Sequence, residues 1–97
     1  MVGNRDSETD DLLQALGHPM RRAILREMND EDLFSPSEVA PRLEDSVSNV
    51  SYHFRMLNRG EAVELAAEKQ VRGATQHFYR RTLKHEWVRK LLEEPED

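Results

Sequence analysis

Cysteine is absent from the 97 residues, which excludes disulfide frameworks, thiolate metal sites and cysteine nucleophiles together. Aromatic residues make up 6% of the chain and apolar residues only 37%, so any core is thin. No apolar run approaches the roughly 20 residues that span a bilayer. The N-terminal Met1-Val2-Gly3-Asn4-Arg5-Asp6 lacks the apolar stretch of a secretory signal. A cytoplasmic protein with no membrane partner is expected. Glycine-rich phosphate loops, a nucleophile elbow and paired-histidine metal helices are missing too. His18, His53, His77 and His85 stand far apart, with no HxH or HxxxH spacing among them. The expectation is a protein that is not an enzyme and needs no cofactor and no metal.

What is present is charge, in 34% of the residues, with a formal net of −5. Its distribution matters more than its total, because phosphate binding depends on local charge. Residues 1–49 carry 5 basic and 11 acidic side chains, residues 50–90 carry 9 and 4, and residues 91–97 carry four acids alone. The basic stretch is therefore confined to the later half of the chain.

Length allows one domain. Residues 1–9 are polar and read as a flexible arm, leaving a domain over 10–94. Leu12, Leu13 and Leu16 fall at helical spacing and Gly17 stops that helix. Pro19 suits the first position of a second helix, whose Met20, Ala23, Ile24 and Met28 form one stripe. Ser35-Pro36-Ser37-Glu38 is a capping-box start for a third helix, made short or irregular by Pro41. Val47, Val50, Phe54 and Leu57 predict a buried stripe on a fourth helix over 47–59, with Gly60 as its C-terminal cap. Residues 62–65 and 75–79 read as strands of a hairpin turning at Arg72-Gly73, and residues 84–94 as a last helix. The fold class expected is mainly α with a small β-hairpin, about five helices and a two-stranded wing.

Two short helices joined by a tight turn, then a hairpin, suit double-stranded DNA. The second helix enters the major groove while the hairpin reaches the neighbouring backbone or minor groove. Helix 47–59 offers Ser48, Asn49, Ser51, Tyr52 and Arg55 opposite its apolar stripe, and no acid lies between Ser46 and Gly60. Such side chains read base edges or grip phosphates. Lys69 and Arg72 sit near the hairpin turn, with Gln70, Thr75 and Gln76 as neutral hydrogen-bonding groups. An alternative is a winged-helix module for protein contact, which suits the acidic segments better; weak salt dependence of any DNA binding would favour it.

The run Leu16-Gly17-His18-Pro19-Met20-Arg21-Arg22-Ala23-Ile24-Leu25 resembles the opening of the ArsR-like winged-helix repressors. Residues 47–65 are similar to that family's recognition helix and first wing strand, and residues 72–80 to its wing and second strand. The resemblance spans about residues 12–82. It implies a winged helix-turn-helix regulator of transcription, with Ser48, Asn49, Ser51, Tyr52 and Arg55 facing the groove and Lys69 and Arg72 on phosphate. His53 matches the family's common histidine in this helix, which packs or hydrogen-bonds more often than it binds metal. The family's metal-sensing cysteines have no counterpart here, where Val39, Ala40 and Leu43 stand instead. The resemblance also implies a homodimer paired through the terminal helices. Leu12, Leu13, Leu16, Trp87, Val88, Leu91 and Leu92 either form that interface or close the monomer's own core.

Overall fold

The computed structural model describes the backbone of residues 4–95 and the side chains of residues 10–95. Five helices and three strands follow in order: α1 (Asn4–Leu16), α2 (Pro19–Glu27), β1 (Leu33–Phe34), α3 (Pro36–Arg42), α4 (Val47–Arg59), β2 (Val63–Val71), β3 (Ala74–Arg81) and α5 (Glu86–Glu93). The strands form one antiparallel sheet in the order β1-β3-β2. This is the winged helix-turn-helix expected from sequence, with three differences. The backbone is helical from Asn4, which corrects the flexible arm expected over 1–9 for residues 4–9. Two-residue β1, pairing Leu33 with Arg80 and Phe34 with Tyr79, adds a third strand to the wing. Both hairpin strands are also longer than expected and meet at a two-residue turn.

Local chemistry sets the helix starts. His18 Nδ1 accepts from the Met20 N–H at 3.0 Å, and Pro19 opens α2 where a missing N–H costs nothing. Ser35 and Glu38 close the reciprocal capping box of α3, with Glu38 N–H on Ser35 Oγ at 3.2 Å and Ser35 N–H on Glu38 Oε1 at 3.4 Å. Ser46 caps α4 by accepting from the Asn49 N–H at 3.0 Å. The hairpin turns at Arg72 (φ 52°) and Gly73 (φ 82°), a pair of left-handed residues that matches the twist of the flanking strands.

Gly60 has a different reason from the one its place at the end of α4 suggests. Its φ is −83°, and the left-handed residue is Glu61 at 64°. A Cβ on Gly60 would lie 2.7 Å from the Ala15 Cβ and 2.9 Å from the Asp11 carbonyl oxygen, so glycine is needed for the approach of α1. Gly60→Ala is expected to lower stability by about 1–3 kcal/mol, as overpacking does. Urea unfolding checks this, and an unchanged midpoint would show that α1 retreats freely.

The core gathers Ile24 and Leu25 from α2, Val39 from α3, Val50, Phe54 and Leu57 from α4, Val63 from β2 and Val88 from α5, each almost wholly buried. Phe54 stacks on Tyr79 with ring centroids 4.8 Å apart, tying α4 to β3. A polar clamp holds α5 to the rest. Asp30 accepts from Arg81 Nε and Arg89 Nη1, each at 2.8 Å, and Arg26 Nε donates to the Leu92 carbonyl at 2.7 Å. The hydrogen bonds from Arg81 and then Arg89 hold the Asp30 carboxyl below the ordinary range.

The seven apolar residues of the terminal helices divide between roles. Leu16, Val88 and Leu92 are buried in the chain's own core, and Leu12 and Leu91 pack partly against it. Of the two roles left open by the sequence, Leu16, Val88 and Leu92 take the core one in this chain, where their side chains are covered. Leu13 and Trp87 remain open, at 52% and 45% exposure.

Candidate nucleic-acid interface

Helix α4 turns Val50, His53, Phe54 and Leu57 inward, and Ser48, Asn49, Tyr52 and Arg55 to solvent. Spacings of three and four residues make that division unavoidable on a 3.6-residue turn. Ser51 is half-buried, because it stands at the edge nearest the wing. Val47 is 45% exposed, which corrects its place in the buried stripe; it lies in the first turn, beyond the end of the core. Val47 and Ser51 line a shallow cleft of about 320 Å³ together with Pro36, Val71, Ala74 and Gln76. The cleft places the start of α4 and the base of the hairpin tip side by side.

Lys69 stands opposite Gln76 in the hairpin, and Arg72 occupies the turn itself. Among the described residues, Arg55, Lys69 and Arg72 have no ion-pair partner. Of the acids of the wing strand, Glu64 pairs with Arg80 at 3.1 Å, and Glu68 lies 3.8 Å from His77 Nε2, a contact that is ionic only when the histidine is protonated. These three cations lie on the outer face of α4 and in the hairpin. Gln70, Thr75 and Gln76, read as extra contact groups, are engaged within the fold. Gln70 Nε2 donates to Thr75 Oγ1 at 3.0 Å, and Gln76 Nε2 to Ser35 Oγ at 3.4 Å.

His53 is a structural residue here. It is 4% exposed, and its Nδ1 accepts from Arg21 Nε at 3.1 Å. Arg21 also donates to the Gln14 carbonyl at 2.8 Å, and the His18 ring lies 4.5 Å from that of His53. One buried guanidinium therefore joins the end of α1 to α4 across α2. Burial, followed by the charges of His18 and Arg21, lowers the His53 pKa. The neutral ring is favoured in the fold, so the unfolded chain binds more protons. The resulting stability is fully present above the ordinary histidine value of about 6.5 and is lost as pH falls through the lowered one. His53→Gln keeps an acceptor for Arg21 and should flatten the decline between pH 7.5 and 5.5 in urea titrations. An equally deep decline in that variant would place the titration elsewhere.

Sequence reasoning missed Asp45, which precedes the acid-free stretch by one residue. Its Oδ1 accepts from the Ser46 N–H at 2.7 Å and its Oδ2 from Asn49 Nδ2 at 2.9 Å. These bonds, the Ser46 one foremost, hold its carboxyl below the ordinary range. The signal was an acid four residues before an asparagine across a helix start. Among the described residues, no group of three or more His, Asp or Glu side chains is placed to hold a metal. No helix among them is long and apolar enough to cross a membrane.

Residues 16–66 match the family described as the helix-turn-helix domain. The chain belongs to that family. A helix-turn-helix domain with a wing is a DNA-binding unit of transcriptional regulators, and that is the class of this chain. Reduced HlyU from Vibrio cholerae N16961 is 30% identical, with a TM-score of 0.64 over 92% of this chain and 85% of that one. The transcriptional regulator HlyU from Vibrio vulnificus CMCP6 is 24% identical, with a TM-score of 0.57 over 95% of this chain and 88% of that one. A possible transcriptional regulatory protein (fragment 1–100) from Mycobacterium bovis shares the fold at 17% identity, with a TM-score of 0.70 over 95% of this chain and 90% of that one. Comparison with curated proteins gives no match.

Proposed function

We propose that this helix-turn-helix domain is an ArsR-like repressor that binds an inverted repeat in double-stranded DNA as a homodimer. The observation that carries the reading is the pairing of two surfaces across one cleft. On one side is the acid-free outer face of α4, and on the other a hairpin tip whose cations have no internal partner. In this reading Ser48, Asn49, Ser51, Tyr52 and Arg55 enter the major groove, and Lys69 and Arg72 grip the backbone or minor groove beside it. Repression follows from occupying promoter DNA. The net charge of −5 does not oppose this, because phosphate binding depends on local charge and α4 itself carries no acid.

The homodimer rests on the terminal helices. Leu13 and Trp87 are large, apolar and exposed, and Leu12, Trp87 and Val88 border a groove of about 480 Å³ between α1 and α5. Pairing there would cover apolar surface that a thin-cored monomer leaves in water. It would also set two α4 helices to read half-sites about 34 Å apart. Leu13→Glu combined with Trp87→Glu is expected to turn a sedimenting dimer into a folded monomer. A wild-type chain that sediments as a monomer at micromolar concentration would contradict the pairing.

Selection of bound sequences from a random duplex library tests the whole reading. Enrichment of an inverted repeat supports it. No enrichment even at low salt would replace it with a module for protein contact.

A further inference from the structure

Asn49 does not present a free side chain to DNA. Its carboxamide nitrogen is held 2.9 Å from Asp45 Oδ2, and Asp45 is itself fixed by the Ser46 N–H on its other oxygen at 2.7 Å. The Asn49 backbone N–H is fixed too, on the Ser46 hydroxyl at 3.0 Å. Main chain and side chain of one exposed residue are thus both anchored at the helix start. Among the described residues, the amide oxygen and the second amide hydrogen of Asn49 have no partner.

A carboxamide free to rotate offers its donor and acceptor in either order and so discriminates poorly. Pinning the nitrogen side decides the order. One N–H taken by a carboxylate leaves one N–H and one C=O, adjacent and in a set sense. That is the pair that matches adenine in the major groove, where N7 accepts and the N6 amino group donates. Donation to a carboxylate also polarises the amide and makes its oxygen a better acceptor. The carboxylate repels phosphate, so Asp45 makes little sense as a source of affinity.

We propose that Asp45 is a specificity-determining positioning residue, which orients the Asn49 carboxamide to read one adenine in each half-site. The inference rests on the DNA-binding reading above and deepens it. Asp45 acts through Asn49 and touches no base. Bidentate reading of adenine requires that the hydrogen given to Asp45 be the one trans to the Asn49 carbonyl oxygen, so that the cis N–H and the C=O are left for the base.

The test is selection from a random duplex library by the full chain and by Asp45→Ala, Asp45→Asn, Asn49→Ala and the Asp45→Ala/Asn49→Ala pair. Melting temperatures taken in parallel establish that each variant is folded. Asp45→Asn keeps an acceptor for the Ser46 N–H, but its single side-chain carbonyl does not replace two carboxylate oxygens. The wild type should enrich adenine at one step of each half-site. Asn49→Ala should lose that preference by about tenfold. Both Asp45 variants should lose most of it while binding unrelated duplex as well as, or better than, the wild type. The double variant should discriminate no worse than Asn49→Ala. An unchanged preference in folded Asp45 variants would overturn the inference and leave the DNA-binding reading standing. Enrichment of cytosine at that step would overturn it as well, by making Asp45 the reader of the cytosine amino group. No enrichment by the wild type would overturn both.

Discussion

Truncating Phe54 to alanine is expected to cost about 3–5 kcal/mol of stability, the range for a buried aromatic ring removed from a close-packed core. Phe54 has no measurable exposure and stacks on Tyr79 of β3 at 4.8 Å. Val50 and Leu57, one turn before and after it on α4, are equally buried, so no neighbour can move in from solvent to fill the space. The loss therefore combines the transfer of the ring with a residual cavity. Against a typical total of 5–15 kcal/mol for a domain, it removes a third or more of the stability at the median of both ranges. DNA binding should fail only to the extent that the chain unfolds. Urea titration with and without duplex separates the two effects. A loss under about 1 kcal/mol would mean that α4 is not anchored through this ring.

Arg55→Ala and Arg72→Ala should show the opposite pattern. Both side chains are exposed and without ion-pair partners among the described residues, so stability should stay within about 0.5 kcal/mol of the wild type. Affinity for the selected duplex should fall by about tenfold or more for each, since every change removes a cation from both half-sites. The two should differ in kind. Arg72, in the hairpin turn, should weaken binding to all sequences alike, whereas Arg55, on the outer face of α4, should weaken the matched duplex more than an unrelated one. Fluorescence anisotropy on both duplexes measures the distinction. Full affinity in both variants would contradict the placement of these residues on DNA.

The parts of the fold legible from sequence were those set by short-range chemistry. Helix α4 runs over the predicted 47–59 because its apolar positions keep a 3.6-residue period without glycine or proline. The Ser35–Glu38 capping box formed as spacing demanded. Long-range packing hid the rest. Strand β1 is two residues long and exists because Leu33 and Phe34 meet Arg80 and Tyr79, a pairing that no local pattern encodes. Gly60 caps α4 as its place predicted, but the need for glycine there comes from the room its missing Cβ leaves for α1. Val88 and Leu92 could be assigned to core only once the clamp of Asp30, Arg81 and Arg89 had fixed α5 against the end of α2 and β3. At the interface, residue types on the outer face of α4 were readable, whereas the bond from Asn49 to Asp45 was not, because it crosses a helix boundary.

Salt reports directly on whether this domain grips DNA phosphates through a small, defined set of cations. Affinity of the full chain for its selected duplex should be followed from low to physiological ionic strength. Two backbone-gripping cations from each of two copies, Lys69 and Arg72, predict that log K falls linearly with log salt at a slope of about −3.6. A slope near zero would contradict a grip on phosphate, because binding that releases no counterions does not involve the phosphate backbone.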